Sequence, residues 1–79
     1  MMKVKIYTTP TCPYCQMAKT FFKKHKIEYR EVNVLDSLEA REEMFSKSHQ
    51  QSVPVIEMGD EIVVGFDRVA IAKILGIKD

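Results

Sequence analysis

Apolar and polar positions alternate from Val4 to Thr8, with Val4, Ile6 and Thr8 on one side and Lys5 and Tyr7 on the other, and Pro10 stops the run. Alternation of this kind predicts a strand. The period then lengthens: Tyr14, Met17, Ala18, Phe21, Phe22 and His25 recur at helical spacing between about Pro13 and His25, while Lys19, Lys23 and Lys24 fall largely off that face. The spacing predicts an amphipathic helix. Pro13 fits its first turn, where the missing N–H has no helical partner. Alternation returns over Ile27–Val34, with Ile27, Tyr29, Glu31 and Asn33 on one side and Val32 and Val34 on the other. Strand, helix and strand within about 30 residues make a βαβ unit, whose crossover is right-handed in nearly all cases.

Asp36 offers a helix N-cap, with Glu39 three residues later as in a capping box. The helix it opens is expected to run to about Ser48 and to bury Leu38, Met44 and Phe45. His49–Ser52 is a polar connection, and Val53–Met58 predicts a third strand. Gly59-Asp60 suits a two-residue hairpin turn into Glu61–Val64. Asp67 can cap a last helix containing Val69, Ile71, Ala72, Ile74 and Leu75, which Gly76 ends. The order β-α-β-α-β-β-α predicts an α/β fold, a mixed four-stranded sheet covered by helices. With 79 residues and no repeat or linker, one small domain spanning 1–79 is expected, with a thin margin of stability.

Charge changes this picture little in total and more in distribution. The formal net charge is +1, which gives no general argument for nucleic acid or a membrane surface. Residues 1–30, however, hold seven basic residues against Glu28 alone, and the rest of the chain holds five basic against ten acidic. The basic part is either a solvated helix face or an electropositive surround that favours thiolate and attracts acidic partners. No stretch approaches the roughly 20 apolar residues of a membrane span. Met1-Met2-Lys3-Val4-Lys5 does not read as a signal peptide, so a cytoplasmic location is the expectation.

Both cysteines of the chain stand in one short turn, Thr11-Cys12-Pro13-Tyr14-Cys15. Positions i and i+3 at a helix start lie within the roughly 7 Å that a disulfide requires between Cα atoms. Cys12, at the start of the helix, is expected to face water and the unpaired N–H groups of the first turn. Such settings lower a cysteine pKa from about 8.5 to somewhere between roughly 3.5 and 7.5. Cys15 points back along the helix and is expected to be more enclosed. Pro13 stiffens the turn, and Tyr14 offers an aromatic wall. Three readings compete. A redox pair attacks through Cys12 and resolves through Cys15. A metal or iron–sulfur cluster site would need further ligands, of which His25 and His49 are the candidates, or a second chain. A structural staple gains little from so short a loop.

Ser52-Val53-Pro54 precedes the third strand. It is either a strand-edge proline after a loop or a functional feature. An X-Pro bond can be cis at modest cost, and a cis Val53-Pro54 bond would turn the Val53 N–H and C=O outward for an extended peptide to pair with.

Thr11-Cys12-Pro13-Tyr14-Cys15, followed by Ser52-Val53-Pro54 and by Val64-Gly65-Phe66-Asp67, resembles the glutaredoxins over essentially the whole chain. The resemblance implies a thioredoxin-like fold with sheet order 2-1-3-4, Cys12 as nucleophile, Cys15 as resolving thiol, a cis Pro54, and peptide pairing at Val53. It implies a thiol–disulfide oxidoreductase acting on protein disulfides or glutathione mixed disulfides, with no bound cofactor and as a monomer. Thr11, Pro13, Tyr14, Ser52, Val53, Pro54 and Gly65 would surround the substrate, and Gln51 and Asp67 are candidate contacts for the end groups of glutathione. Two positions depart from the glutathione-using pattern: Thr9 stands where those members have Lys, and Phe66 follows Gly65 where they have a second Gly. A Gly-Phe step is similar to redoxins that donate electrons to ribonucleotide reductase and are recharged by thioredoxin reductase. Phe66 is therefore either core or docking surface. Glutathione and thioredoxin reductase are the two candidate electron sources, and an iron–sulfur carrier is the rival from another class.

Overall fold

The computed structural model describes residues 3–77, so Met1 and Met2 lie outside the described residues. The elements follow in the expected order: β1 (Val4–Thr8), α1 (Pro13–Lys24), β2 (Arg30–Asn33), α2 (Leu38–Ser48), β3 (Val55–Met58), β4 (Glu61–Val64) and α3 (Arg68–Leu75). The sheet order is β2-β1-β3-β4, with β1 parallel to β2 and the other pairs antiparallel. Among the described residues no helix is long and apolar enough to cross a membrane.

Alternation along the strands builds two cores. Val4 and Ile6 of β1, Ile56 and Met58 of β3 and Val63 of β4 face α1 and α3, meeting Ala18, Phe21, Phe22, Ile71 and Ala72. Tyr7, Val55 and Val34 face the other way, toward Met44 of α2. Val32 joins this second cluster and Tyr29 the first, so the two sides expected of residues 27–34 are the observed ones.

Several boundaries differ from expectation. The second strand begins at Arg30 rather than Ile27, because residues 25–27 are spent ending α1. His25 caps the helix, Lys26 takes a left-handed φ of 57°, and Ile27 N–H donates to Phe22 C=O at 2.8 Å, as in a Schellman motif. The third strand begins at Val55 rather than Val53, since Pro54 has no N–H to give to the ladder. Ser37, not Asp36, caps α2: its hydroxyl accepts the Ala40 N–H at 3.1 Å, while Asp36 accepts a hydrogen bond from the Asn33 amide. No capping box forms, because the N3 residue counted from Ser37 is Ala40. Tyr14 and Met17 do not share the buried face of α1, which consists of Cys15, Ala18, Phe21 and Phe22.

The largest departure is in α2. Of the three residues expected to be buried, only Met44 is; Leu38 is 68% exposed and Phe45 48%. Beside Met44 and Ala40, the side of α2 nearest the sheet is polar. Glu43 accepts hydrogen bonds from the Tyr7 hydroxyl and from Lys5 on β1, and Lys47 bonds the Tyr7 oxygen at 3.3 Å and Glu57 of β3 at 3.0 Å. Tyr7 is fully buried, so this network gives its hydroxyl the partners that burial requires. Hydrogen bonds from Lys5 and then Tyr7 hold the Glu43 carboxyl at about 2, below its ordinary 4.5.

Two predictions follow from these elements. Glu43 binds protons more readily unfolded than folded, so its contribution to stability is complete above about pH 4.5 and is lost as pH falls toward about 2. The Glu43 side chain is 41% exposed, and solvent screening reduces its contribution to about 1 kcal/mol. Glu43→Gln is expected to be less stable than the parent by that amount in urea at pH 7, and the difference should vanish near pH 2. Asp67 caps α3, accepting the Ala70 N–H at 3.1 Å. Asp67→Ala is expected to cost about 1 kcal/mol, and Asp67→Ser to retain most of it, by the same denaturation assay.

Candidate active site

The register of β1 and β3 decides what meets at the C-terminal end of β1. Tyr7 lies opposite Val55, and Val55 lies opposite Val64. The loop after β1, which carries the cysteines, the Val53-Pro54 segment before β3 and Gly65 after β4 therefore all leave the sheet at one end. Residues chosen from three separate stretches of sequence are brought together by these two pairings.

Cys12 is the N-cap of α1 and Cys15 is one turn in. They form a disulfide, with Cα atoms 5.2 Å apart. The Cys15 N–H donates to Cys12 Sγ at 3.1 Å, so a first-turn amide is aimed at the sulfur. Charge on that sulfur is favoured by this amide and by the positive end of the helix. Cys12 is 8% exposed and Cys15 0%. Cys12 was expected to face water; in the disulfide form, with its Sγ bonded to that of Cys15, it is instead buried and only slightly more open than Cys15. Thr11, Pro13 and Tyr14 are exposed around it, and Tyr14, at 62%, forms an open aromatic wall.

The Val53-Pro54 bond is cis. Pro54 is buried and its C=O accepts the Gly65 N–H at 2.8 Å, fastening the loop to the end of β4. Gly65 has φ +81°, a conformation that favours glycine. Ser52 is held by a residue the sequence did not single out. The Gln50 side chain accepts the Ser52 N–H at 2.9 Å and donates to the Ser52 C=O at 2.9 Å. Gln50 lies in a polar run without periodicity, so no pattern marked it. Val53 is half-buried, and its N–H and C=O make no hydrogen bond to the described residues. Gln51 is exposed and lines a groove with Thr9, Ser52 and Val53.

Phe66 is half-buried in the α1–α3 core, its ring edge-on to Phe21 with centroids 5.9 Å apart. Asp67 serves as the α3 cap described above. His25 stands at the opposite end of α1 from the cysteines, packed on Phe21 at 4.5 Å, and His49 is the exposed left-handed cap of α2. Neither is placed as a ligand beside the pair. The basic excess of the N-terminal part is also dispersed: Lys5 pairs with Glu43, Lys19 with Glu31 at 2.8 Å, and Lys23 and Lys24 occupy the last turn of α1.

Comparison with known proteins agrees with this geometry. The glutaredoxin family model matches residues 4–63. An uncharacterized glutaredoxin-like 8.6 kDa protein from the rubredoxin operon of Clostridium pasteurianum is 46% identical over 72 residues, covering 91% of this chain and 96% of that one. Glutaredoxin 3 of Escherichia coli strain K12 is 34% identical over 67 residues, covering 85% and 81%. The solved structure of NrdH-redoxin from Escherichia coli, described as a glutaredoxin-like protein with a thioredoxin-like activity profile, superposes with a TM-score of 0.83 at 26% identity, covering 91% and 93%. With its thioredoxin-like sheet and its Cys12–Cys15 pair at the start of α1, the chain belongs to the glutaredoxin family and is a thiol–disulfide oxidoreductase.

Proposed function

We propose that the protein is a dithiol reductant of disulfides in other proteins, with Cys12 attacking and Cys15 resolving. The observation that carries this reading is the placement of a closable cysteine pair at a helix N-terminus, at the same end of the sheet as the Val53 amide, which has no hydrogen-bond partner among the described residues. The Cys12 thiolate attacks one sulfur of the target disulfide; a Cys12–target bond forms, and the other target sulfur leaves as thiolate. Cys15, losing its proton, then attacks Cys12 Sγ, closing the internal bond and releasing the second target sulfur. The target gains two electrons and two protons, and the protein loses the same two electrons. Val53 N–H and C=O hold the target backbone during the exchange, as a short added strand.

The electron source is read from two positions. Thr9 supplies no cation, and the Phe66 side chain takes the place where a second glycine would leave space and flexible backbone beside Gly65. Both weigh against strong glutathione binding and favour recharging by a thioredoxin reductase. The activity profile stated for the Escherichia coli NrdH-redoxin supports the same choice.

Cys12→Ser is expected to abolish turnover of an insulin disulfide. Cys15→Ser is expected to retain attack but accumulate a covalent protein–target adduct, visible by mass spectrometry. Retained reduction by Cys12→Ser would reverse the two roles. For the electron source, the oxidised protein is offered glutathione plus its reductase and, side by side, thioredoxin reductase with its reductant. Faster recovery of thiols is expected with the latter; fast, saturable reduction by glutathione would overturn that assignment.

A further inference from the structure

We propose that Gln50 is a positioning residue: its carboxamide holds the Ser52 backbone in the orientation that turns the Val53 N–H and C=O toward an incoming target. This rests on the reading of Val53 given above and adds to it the side chain that sets that edge before the target arrives.

The carboxamide engages Ser52 as a neighbouring strand would. Oε1 accepts the Ser52 N–H at 2.9 Å and Nε2 donates to the Ser52 C=O at 2.9 Å, so both backbone groups of one residue are taken from one side. An opposed residue in an antiparallel ladder exchanges the same two bonds. Oε1 also accepts the Ser52 hydroxyl. The clamp is tied to the core through Ser48 at the end of α2. The Ser48 hydroxyl lies 2.7 Å from the C=O of Met44, which is fully buried, and 3.0 Å from the C=O of Gln50. Val53 comes next in the chain. A residue before proline is biased to extended backbone, along which successive N–H and C=O pairs point to alternate sides. With Ser52 committed to Gln50, the Val53 pair faces the other way, and neither of its groups has a hydrogen-bond partner among the described residues.

Stability alone does not call for this clamp. Ser52 is exposed, so water can satisfy its N–H and C=O when Gln50 does not. Pro54 is already fastened, by the Gly65 N–H to its C=O at 2.8 Å. What Gln50 removes is the freedom of the backbone just ahead of that tie. A target that pairs with Val53 must otherwise order this backbone itself, and an edge set in advance spares it that cost.

The test compares the parent with Gln50→Met, which keeps the length of the side chain and loses its hydrogen bonds. Two probes react with the reduced proteins in single turnover: a symmetrical peptide disulfide with several residues on each side of its cysteine, and bis(2-hydroxyethyl) disulfide. The readout is the ratio of the two rate constants, in which any change in Cys12 reactivity cancels. In Gln50→Met the ratio of peptide to small disulfide is expected to fall about tenfold, the order of effect of fixing one residue of backbone. Amide hydrogen exchange at Ser52 is expected to quicken by more than it does at Ile56 in the central strand β3. Gln50→Glu keeps the acceptor for the Ser52 N–H and loses the donor to the Ser52 C=O, so its ratio is expected to fall between the other two. An unchanged ratio in Gln50→Met, or a ratio in Gln50→Glu equal to the parent's, overturns the proposal. So does a lower ratio with Ser52 exchange unaltered, which makes Gln50 a direct contact of the peptide, or with exchange quickened equally at Ile56, which makes the effect one of stability. If the parent shows no preference for the peptide beyond the uncatalysed reactivity of the two disulfides, the Val53 reading fails first and this one with it.

Discussion

The pairing of β1 with β3 is the constraint on which the site depends. Placing Tyr7 opposite Val55 aligns the C-terminal end of β1 with the N-terminal end of β3. A shift of one residue would turn the β3 side chains to the wrong faces, moving Ile56 and Met58 out of one core and Val55 out of the other. The register is therefore held by burial on both sides of the sheet. The same register delivers the cysteine turn and the Val53-Pro54 loop to a common place, so the packing that stabilises the sheet also assembles the chemistry.

Much of this was legible in the chain itself, and the reason is local. Cys12 and Cys15 are separated by two residues, and the helix that follows them is set by spacing and by Pro13; no distant contact is needed to place one sulfur over the other. The strands were legible because each face of the sheet is buried against something, which enforces a clean period of two in β1 and β3. Asp67 and Gly76 mark α3 from either end, and both act as caps. Sheet order and the cis Val53-Pro54 bond came from the resemblance to a family, not from period or composition.

What was not legible depends on tertiary partners. Leu38 and Phe45 look like core by composition, and Glu43 and Lys47 look like surface. The structure leaves Leu38 and Phe45 outside and draws Glu43 and Lys47, both still partly exposed, over Tyr7, because its hydroxyl enters the α2 interface and needs polar partners when buried. Hydrophobic periodicity has no way to register such a demand when it arises from a side chain thirty-odd residues away. The left-handed turn at Lys26 and the late start of β2 have the same character. A lysine in the left-handed region is no sequence signal for a C-cap, and the Ile27 N–H to Phe22 C=O bond that fixes it follows from how the chain returns to the sheet.

The arrangement of α2 also bears on the stability of the fold. A domain of this size has little apolar surface to spare for its core. Leaving Leu35, Leu38 and Phe45 partly exposed forgoes a part of the roughly 1.5–3 kcal/mol that complete burial of such a side chain is worth, and the ion pairs beneath α2 contribute about 0–1 kcal/mol each. Met44 is the fully buried side chain of α2, with Ala40 packed beside it, so turning Leu38 and Phe45 inward would carry Met44 out of the core and is no gain.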